Sequence, residues 1–256
     1  MGRQGEIERT KNIYAPVLFN VTFALKAVSF GGRTINRGVP FYYANGRKSE
    51  LSLCQPPQTP GGISIVTFAS FEDISRLKFD RQFGDHTGFR SLYTRGENLM
   101  MRSCEEEVNV VLAVRDTTIV GFGLLACPDP DQRWAGLGPK KVMEVKAIEV
   151  VRDLRNSGLG KVLVRAMLSH PSVEERIIYL VGYTWVWDLA GAGLAGSFYH
   201  RMMVRLFEPF GFVEFQTNEP NICLDPDNLF MCRIGKNVSN RLKEEFKWLA
   251  FGVYPQ

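Results

Sequence analysis

Residues 150–161 read Val-Val-Arg-Asp-Leu-Arg-Asn-Ser-Gly-Leu-Gly-Lys, and this stretch decides the fold. It follows an apolar segment and leads into a predicted helix. Gly158 and Gly160 let the backbone turn tightly and approach a ligand closely. The first turn of the helix leaves its amide groups without partners, and the positive end of the helix dipole adds to their effect. The stretch therefore predicts a loop that binds a diphosphate.

The helix after this loop is predicted from one apolar stripe, formed by Leu159, Val162, Leu163, Ala166 and Met167. His170-Pro171 ends the helix. Asn156 or Ser157 is expected to be the N-cap, because short polar side chains accept hydrogen bonds from first-turn amides. The chain becomes apolar again at residues 177–181, which predicts a strand.

The spacing Arg155-x-x-Gly158-x-Gly160 separates this loop from other phosphate-binding loops. It lacks the lysine-serine pair of the Walker motif and the glycine spacing of dinucleotide-binding loops. With a strand before it and a helix after it, the loop resembles the Arg/Gln-x-x-Gly-x-Gly/Ala motif of the GCN5-related N-acetyltransferase (GNAT) superfamily. The resemblance implies an α+β fold with a mixed central sheet flanked by helices, and acetyl-CoA as co-substrate.

The order of elements along the chain agrees with that class. Besides the helix after the loop, periodicity predicts helices at residues 71–79 and 197–206, and strands at 63–68, 108–114, 119–126, 143–150, 177–187, 212–216 and 229–233. The strands 108–114 and 119–126 are expected to form a hairpin. Strands first, then a strand-loop-helix-strand unit, then a helix and a closing hairpin, is an α+β order.

Two regions are predicted along the chain. Residues 1–61 carry turn signals such as Gly31-Gly32 and Asn45-Gly46, and they end in a run rich in proline and glycine. We expect these residues to form an N-terminal extension, and residues 62–256 to form the acetyltransferase domain.

Composition narrows the class of protein. A chain of 256 residues that is 45% hydrophobic can bury a full core in one domain. Its apolar runs are too short to cross a membrane and its N-terminus has no apolar signal segment, so we expect a soluble cytoplasmic protein. The net charge of +4 is spread along the chain, which does not favour nucleic-acid binding. The 5 cysteines lack paired metal-ligand spacing, so reduced thiols and no metal site are expected.

A closer resemblance comes from the second half of the chain. Its blocks include Trp185-x-Trp187-Asp188-Leu189 and Arg233-Ile234-Gly235-Lys236-Asn237-Val238. They are similar to the acetoin-utilization acetyltransferase family, and the likeness covers residues 62–256. Members of that family acetylate the active-site lysine of AMP-forming acetyl-CoA synthetase and so inactivate it. The resemblance therefore implies this synthetase as the protein partner.

Two glutamates are candidates for the general base that removes a proton from the acceptor amine. Glu144 and Glu149 lie in an otherwise apolar strand, where burial raises a carboxyl pKa toward the useful range. Glu144 is the first choice, because it occupies the place of the base in the histone acetyltransferase branch of the superfamily. Strict alternation puts the two on opposite faces, but the bulge implied by the superfamily breaks that parity. The alternative is that either carboxylate forms a structural ion pair with Lys146, Lys141 or an arginine.

The remaining site residues follow from the same resemblance. Many superfamily members place a tyrosine as general acid where this chain has Phe207. Tyr199 is therefore the first substitute candidate for the general acid, and Tyr183 is the second. Acetyl-CoA is expected to contact Ile148, Val150, Arg155, Asn156, Ser157, Gly158, Leu159, Gly160 and Lys161. Trp185, Asp188 and Glu219 are expected on the side that receives a basic peptide.

Two other functions stay open on the sequence. The first is acetylation of a small-molecule amine, because a fold does not fix its acceptor. The second is a non-catalytic acyl-CoA sensor, which the phenylalanine at position 207 motivates. The sequence pattern favours no oligomeric state.

Overall fold

The computed structural model describes residues 61–84 and 96–253. Within them, one open mixed sheet has 8 strands. They are β1 (Ile63–Val66), β2 (Lys78–Phe79), β3 (Asn109–Arg115), β4 (Thr118–Ala126), β5 (Val142–Val150), β6 (Ile177–Gly182), β7 (Val213–Glu214) and β8 (Leu229–Ile234). The strand order is β1-β3-β4-β5-β6-β8-β7, and β2 pairs with β4 off this path. The predicted extension lies outside the described residues, apart from residue 61.

Helices flank this sheet. They are α1 (Phe71–Ser75), α2 (Gly96–Ser103), α3 (Leu159–Met167), α4 (Leu189–Ala192), α5 (Gly196–Phe207), α6 (Pro220–Cys223) and α7 (Asn240–Ala250). Together with the mixed sheet they confirm the α+β fold class of the acyl-CoA N-acyltransferases. Among the described residues, no helix has the length and apolar character needed to cross a membrane.

Strands β3 and β4 form the predicted hairpin, which lies inside the sheet between β1 and β5. Six residues of β3 and eight of β4 are buried, because helices or loops cover both faces of these strands. On one face α3 packs closely against β4: a Cβ on Gly123 would lie only 2.6 Å from the Met167 Sδ. On the other face, the rings of Phe79 and Phe83 contact Phe122. The hairpin thus anchors the next strand, β5, which carries the candidate site.

β5 has a bulge that decides where its glutamates lie. Leu124 of β4 pairs with Ala147, and Leu125 pairs with Val145, so Lys146 is an extra residue on β5. Glu144 consequently pairs with Ala126, and Glu149 pairs with Phe122. Ala126 and Phe122 occupy positions of β4 that share one face of the sheet. Both glutamates therefore lie on the sheet face opposite α3. The bulge expected from the superfamily resemblance is confirmed.

β5 and β6 pair along only part of their lengths. Their parallel ladder runs from Val142 and Ile177 to Glu144 and Tyr179. β5 continues to Val150 and β6 to Gly182, and beyond Glu144 the β5 edge that faces β6 has no strand partner among the described residues. The sheet therefore opens between these strands toward the loop at 152–158.

Two predicted elements were too long. The helix predicted at 71–79 ends at Ser75, because the Lys78 and Asp80 amides donate to the carbonyls of Thr117 and Ile119 and make β2 an edge strand of β4. The strand predicted at 177–187 ends at Gly182. There the Thr184 amide donates to Asn228 Oδ1 at 2.8 Å, which fixes a 3₁₀ turn at Thr184–Val186. The other predicted elements are present, with ends shifted by a few residues.

Candidate cofactor and acceptor site

A cavity of about 870 Å³ lies at the open end of β5. Its walls are the last residues of β5, the loop at 152–158, the first turn of α3, and helices α4 and α5. Of the predicted cofactor residues, Ile148, Val150, Arg155, Asn156, Gly158, Gly160 and Lys161 line it. Ser157 and Leu159 do not line it. A cleft of this size suits a ligand as large as a coenzyme.

The loop before α3 depends on two residues with left-handed backbone. Asn156 has φ of 63° and Gly158 has φ of 87°. Asparagine tolerates this region better than most side chains, and glycine adopts it freely. Gly158 is itself the N-cap of α3, so the prediction of Asn156 or Ser157 as N-cap was wrong. The Ser157 hydroxyl instead donates to the Leu154 carbonyl at 2.6 Å, which closes the loop before the helix begins.

Two amides of this loop are available to a ligand. The Lys161 amide donates to the Gly158 carbonyl at 3.0 Å, and the Leu159 amide contacts Ser157 Oγ at 3.4 Å. The amides of Gly158 and Gly160 have no acceptor within the described part of the chain, and both glycines line the cavity. These two N–H groups lie at the positive end of the α3 dipole, an environment that favours a bound anion.

Asp188 ties the loop to α4. Its carboxylate accepts hydrogen bonds from Arg152 Nε at 2.8 Å, Arg152 Nη2 at 2.5 Å and Arg155 Nη1 at 2.8 Å. It also accepts the Gly191 amide at 3.0 Å, which caps α4. Asp188 is only 4% exposed, and the hydrogen bonds from Arg152 hold its pKa well below the usual range of a carboxyl. We therefore reassign Asp188 from acceptor binding to holding this loop.

Glu144 belongs to a chain of ion pairs around the buried Lys146, at the closed end of the β5–β6 opening. Its carboxylate is 2.7 Å from Lys146 Nζ, which is also 2.9 Å from Asp129. Burial alone would lower the pKa of Lys146, but the two carboxylates raise it. The lysine therefore stays charged. It contacts one of the two Glu144 oxygens, and the Tyr179 hydroxyl also lies close to this carboxylate, whose charge adds to the burial that raises the pKa of Tyr179.

Glu149 has a different environment, on the wall of the cavity. No described residue hydrogen bonds to its carboxyl group. Burial raises its pKa to about 8, with Arg155 acting against this and Asp188 adding to it. At neutral pH the group is mostly protonated. The structure thus separates the two candidate bases: Glu144 is ion-paired and Glu149 is a neutral carboxyl near its own titration point.

Tyr199 lies on α5 and lines the same cavity. Its ring stacks on Trp187 at 5.0 Å, and burial, followed by the nearby Glu149, raises its pKa to about 12. The phenol therefore keeps its proton at neutral pH. Phe207 is fully buried against Phe212. The position that a tyrosine acid usually occupies therefore contributes only to core packing here.

Trp185 and Glu219 lie beyond the end of β6, on a different part of the surface. Trp185 is 53% exposed and stacks on Tyr183 at 4.7 Å. Glu219 accepts the Ile222 amide at 2.8 Å as the N-cap of α6. Its charge contributes, after burial, to the raised pKa of Tyr183, so the two groups are close. Trp185 is accessible to a partner, whereas Asp188 is not.

Sequence reasoning missed several residues of the cavity wall. Phe198, Arg201, Met202 and Arg205 all line it from α5. Their spacing of three and four residues places them along one side of the helix, and this periodicity was available from the sequence. Their mixture of apolar and basic residues gave no sign of whether that side faced a ligand or solvent.

Known proteins share this fold and loop. A family model described as the acetyltransferase (GNAT) family matches residues 72–188. The acetoin utilization protein AcuA of Bacillus subtilis is 34% identical over 191 residues, which cover 75% of this chain and 90% of the relative. AcuA of Bacillus licheniformis matches to the same extent, at 34% identity over 75% of this chain and 90% of its own.

A solved structure extends the likeness to three dimensions. The crystal structure of an acetoin utilization protein from Exiguobacterium sibiricum superposes with a TM-score of 0.71 at 29% identity, covering 77% of this chain and 93% of that chain. The family uses acetyl-CoA as its acyl donor. The chain therefore belongs to the GNAT acetyltransferase family, among the AcuA-like acetoin utilization proteins, and is an N-acetyltransferase.

Proposed function

We propose that this chain transfers the acetyl group of acetyl-CoA to a lysine of a protein, and that the protein is AMP-forming acetyl-CoA synthetase. The observation that carries the first part is the pair of free amides at Gly158 and Gly160, at the head of α3 and on the cavity wall. They are the groups expected to bind the diphosphate. No strand in the described part of the chain pairs with the β6-facing edge of β5 from Ile148 to Val150, and here the amide groups of pantetheine would add as an extra strand.

The reaction needs a neutral amine close to the thioester. Positioning of the two reactants alone is worth on the order of several kcal/mol. In our proposal Glu144 removes the proton from the ammonium group, and its ion pair with Lys146 at 2.7 Å holds the carboxylate in place. Glu144 is the last residue of β5 that pairs with β6, so it lies where the opening between the two strands begins, and we expect the thioester to reach this point.

Tyr199 is the proposed proton donor to the departing thiolate. Its raised pKa keeps the phenol protonated, and its stacking on Trp187 fixes the ring in the cavity wall. In the balanced reaction Glu144 takes one proton from the ammonium group, the amine nitrogen bonds to the acetyl carbon, and the carbon–sulfur bond breaks. Tyr199 protonates the thiolate, and the second proton that the nitrogen loses as the amide forms returns to Tyr199 through solvent. Glu149 is the alternative base, active in the fraction that has lost its proton near pH 8.

A protein acceptor is supported by the surface beyond β6. Trp185 offers an exposed ring, and Glu219 lies close to the Tyr183 that supports that ring. An exposed aromatic next to a carboxylate suits the stem and the charge of a lysine. The relatives are named for acetoin utilization. We propose the synthetase as the acceptor because of the resemblance of the sequence blocks.

A panel of acceptors tests this function. Release of free coenzyme A is followed with acetyl-CoA and, separately, purified acetyl-CoA synthetase, a polyamine and an aminoglycoside. We expect the synthetase to give the highest kcat/KM. A faster reaction with either small amine would support the small-molecule alternative, and binding of acetyl-CoA without release in any mixture would support the sensor.

The contacts of Asp188 give a separate prediction. Asp188→Asn keeps the size of the side chain but removes the charge that holds Arg152 and Arg155. We expect unfolding free energy to fall by about 2 kcal/mol, a value reduced for the partial exposure of the arginines. The KM for acetyl-CoA should rise several-fold more than kcat falls, because the loop is displaced and the reacting groups are not. Asp153→Asn, exposed in the same loop, is the matched control for thermal melting and kinetics. Equal effects of the two variants would contradict the role of Asp188.

A further inference from the structure

The outer wall of the cavity has a row of basic and apolar side chains on α5. Phe198, Arg201, Met202 and Arg205 line the cavity together, and each lies three or four residues from two of the others. Phe198 is 57% exposed and Met202 is 38% exposed, both high for large apolar side chains. The Arg201 guanidinium lies over the Phe198 ring, 4.3 Å from its centroid. We call these four residues the α5 row.

Some of the basic side chains that line the cavity have ion-pair partners among the described residues, and others have none. Arg152 and Arg155 are paired with Asp188. Lys161, Arg201 and Arg205 also line the cavity, and none of them has an ion-pair partner among the residues that the structure describes. Among the described residues of the wall, Glu149 has the one carboxyl group, and burial raises its pKa to about 8, so it is mostly protonated at neutral pH. The outer part of the cavity therefore carries an excess of positive charge. This charge is additional to the two free loop amides proposed to bind the diphosphate.

Helix packing places the α5 row next to the diphosphate site. A Cβ on Gly160 would lie 3.3 Å from Leu206 Cδ1, so the last turn of α5 lies against the first turn of α3. Arg205 is the neighbour of Leu206 in the sequence, and Arg201 is about one helical turn before it. A group joined by a short link to a diphosphate on α3 would meet these guanidiniums.

We propose that the α5 row binds the 3′-phosphorylated adenosine of coenzyme A: Arg201 and Arg205 bind the 3′-phosphate, and Phe198 and Met202 pack against the adenine ring. This inference rests on the proposed cofactor site and adds to it a requirement for the nucleotide end of the coenzyme. An arginine fork matches phosphate oxygens in geometry and charge. An exposed aromatic ring beneath a guanidinium is a stacking surface for a base. The enzyme therefore discriminates coenzyme A from its form without the 3′-phosphate.

Calorimetry with two ligands tests the proposal as a thermodynamic cycle that combines the change of residue with the change of ligand. Coenzyme A and dephospho-coenzyme A are titrated into the full chain and into Arg205→Gln and Arg201→Gln. We expect the wild type to bind coenzyme A at least 10-fold more tightly, because each charge-assisted hydrogen bond to phosphate is worth about that factor. Each variant should lose about 10-fold in affinity for coenzyme A and less than 2-fold for dephospho-coenzyme A. The difference between the ligands should shrink in 0.5 M salt.

Arg165→Gln is the matched control. Arg165 is an exposed arginine on α3 that lies near Phe210 and outside the cavity wall, so its loss should leave both affinities unchanged. Equal affinity of the wild type for the two ligands would overturn the proposal, as would equal losses for both ligands in the α5 variants. Failure of the wild type to bind either ligand would overturn the cofactor site itself, which is a different result.

Discussion

Gly158→Asp is expected to reduce the affinity for coenzyme A by at least 100-fold. Gly158 lies in the left-handed region at φ of 87°, where a side chain brings strain of about 1 kcal/mol. Its free amide and that of Gly160 form the proposed diphosphate site. A carboxylate at this position would add negative charge beside the phosphates and remove the advantage of the helix dipole. Isothermal titration with coenzyme A measures the effect.

Gly158→Asn is the matched control for that variant. Asparagine has almost the same size as aspartate, tolerates left-handed backbone, and carries no charge. No described atom lies within 4 Å of a Cβ built on Gly158, so neither side chain meets a clash inside the protein. We expect Gly158→Asn to lose much less affinity than Gly158→Asp. Wild-type affinity in Gly158→Asp would show that the diphosphate binds elsewhere.

Glu144→Gln is expected to lower kcat at neutral pH by about 100-fold, the usual contribution of a general base. The substitution keeps the volume and removes the proton acceptor, so the affinity for acetyl-CoA should remain near wild type. Raising the pH toward about 10 should restore part of the rate, since the free amine of lysine becomes common there. Steady-state kinetics from pH 6 to 10, with calorimetry of acetyl-CoA binding, measures both effects.

Comparison of Glu144→Gln with Asp129→Asn separates the role of Glu144 as a base from structural damage. Asp129→Asn removes the other carboxylate partner of Lys146 and leaves Glu144 in place, so it should keep most of the activity. If Asp129→Asn and Glu144→Gln lose activity equally, the ion pair matters and the base does not.

Glu149→Gln tests the alternative base. A base with pKa about 8 makes the wild-type rate rise through that pH, and the variant would lose this inflection. The folded state holds the Glu149 proton more tightly than the unfolded chain, whose glutamates titrate near 4.3. The ionised carboxyl therefore costs stability increasingly as pH rises from about 4 to about 8, and Glu149→Gln should melt higher above pH 8. A folded, inactive Glu149→Gln beside an active Glu144→Gln would transfer the role to Glu149.

The sequence predicted the parts of this fold that depend on local pattern. The β3–β4 hairpin, β5, α3 and the loop before it follow from apolar periodicity and from the glycines at 158 and 160. The bulge at Lys146 came only through the family resemblance, because a one-residue shift leaves no periodic signal. The α1 helix was extended too far because Lys78 and Phe79 pair with a strand about 40 residues later, and such long-range pairing overrides local propensity.

The candidate site was predicted less completely, for a physical reason. The cofactor loop is local, and seven of its nine expected residues line the cavity. The role of Asp188 depends on two arginines more than 30 residues away, which no spacing rule connects to it. Likewise, the separation of Glu144 from Glu149 depends on Lys146 and Asp129 on one side and on burial on the other. Charge states of buried groups follow from the three-dimensional neighbourhood, so residue type alone leaves them open.

Peptide mass spectrometry tests most directly the proposed acetylation of one lysine of acetyl-CoA synthetase by this chain. The synthetase is incubated with the full chain and acetyl-CoA, and its adenylating activity is followed in the same samples. We expect one active-site lysine to gain an acetyl group in step with the loss of adenylation, and Gly158→Asp to abolish both. No lysine modified above the level without enzyme, together with rapid acetylation of a small amine, would contradict the account.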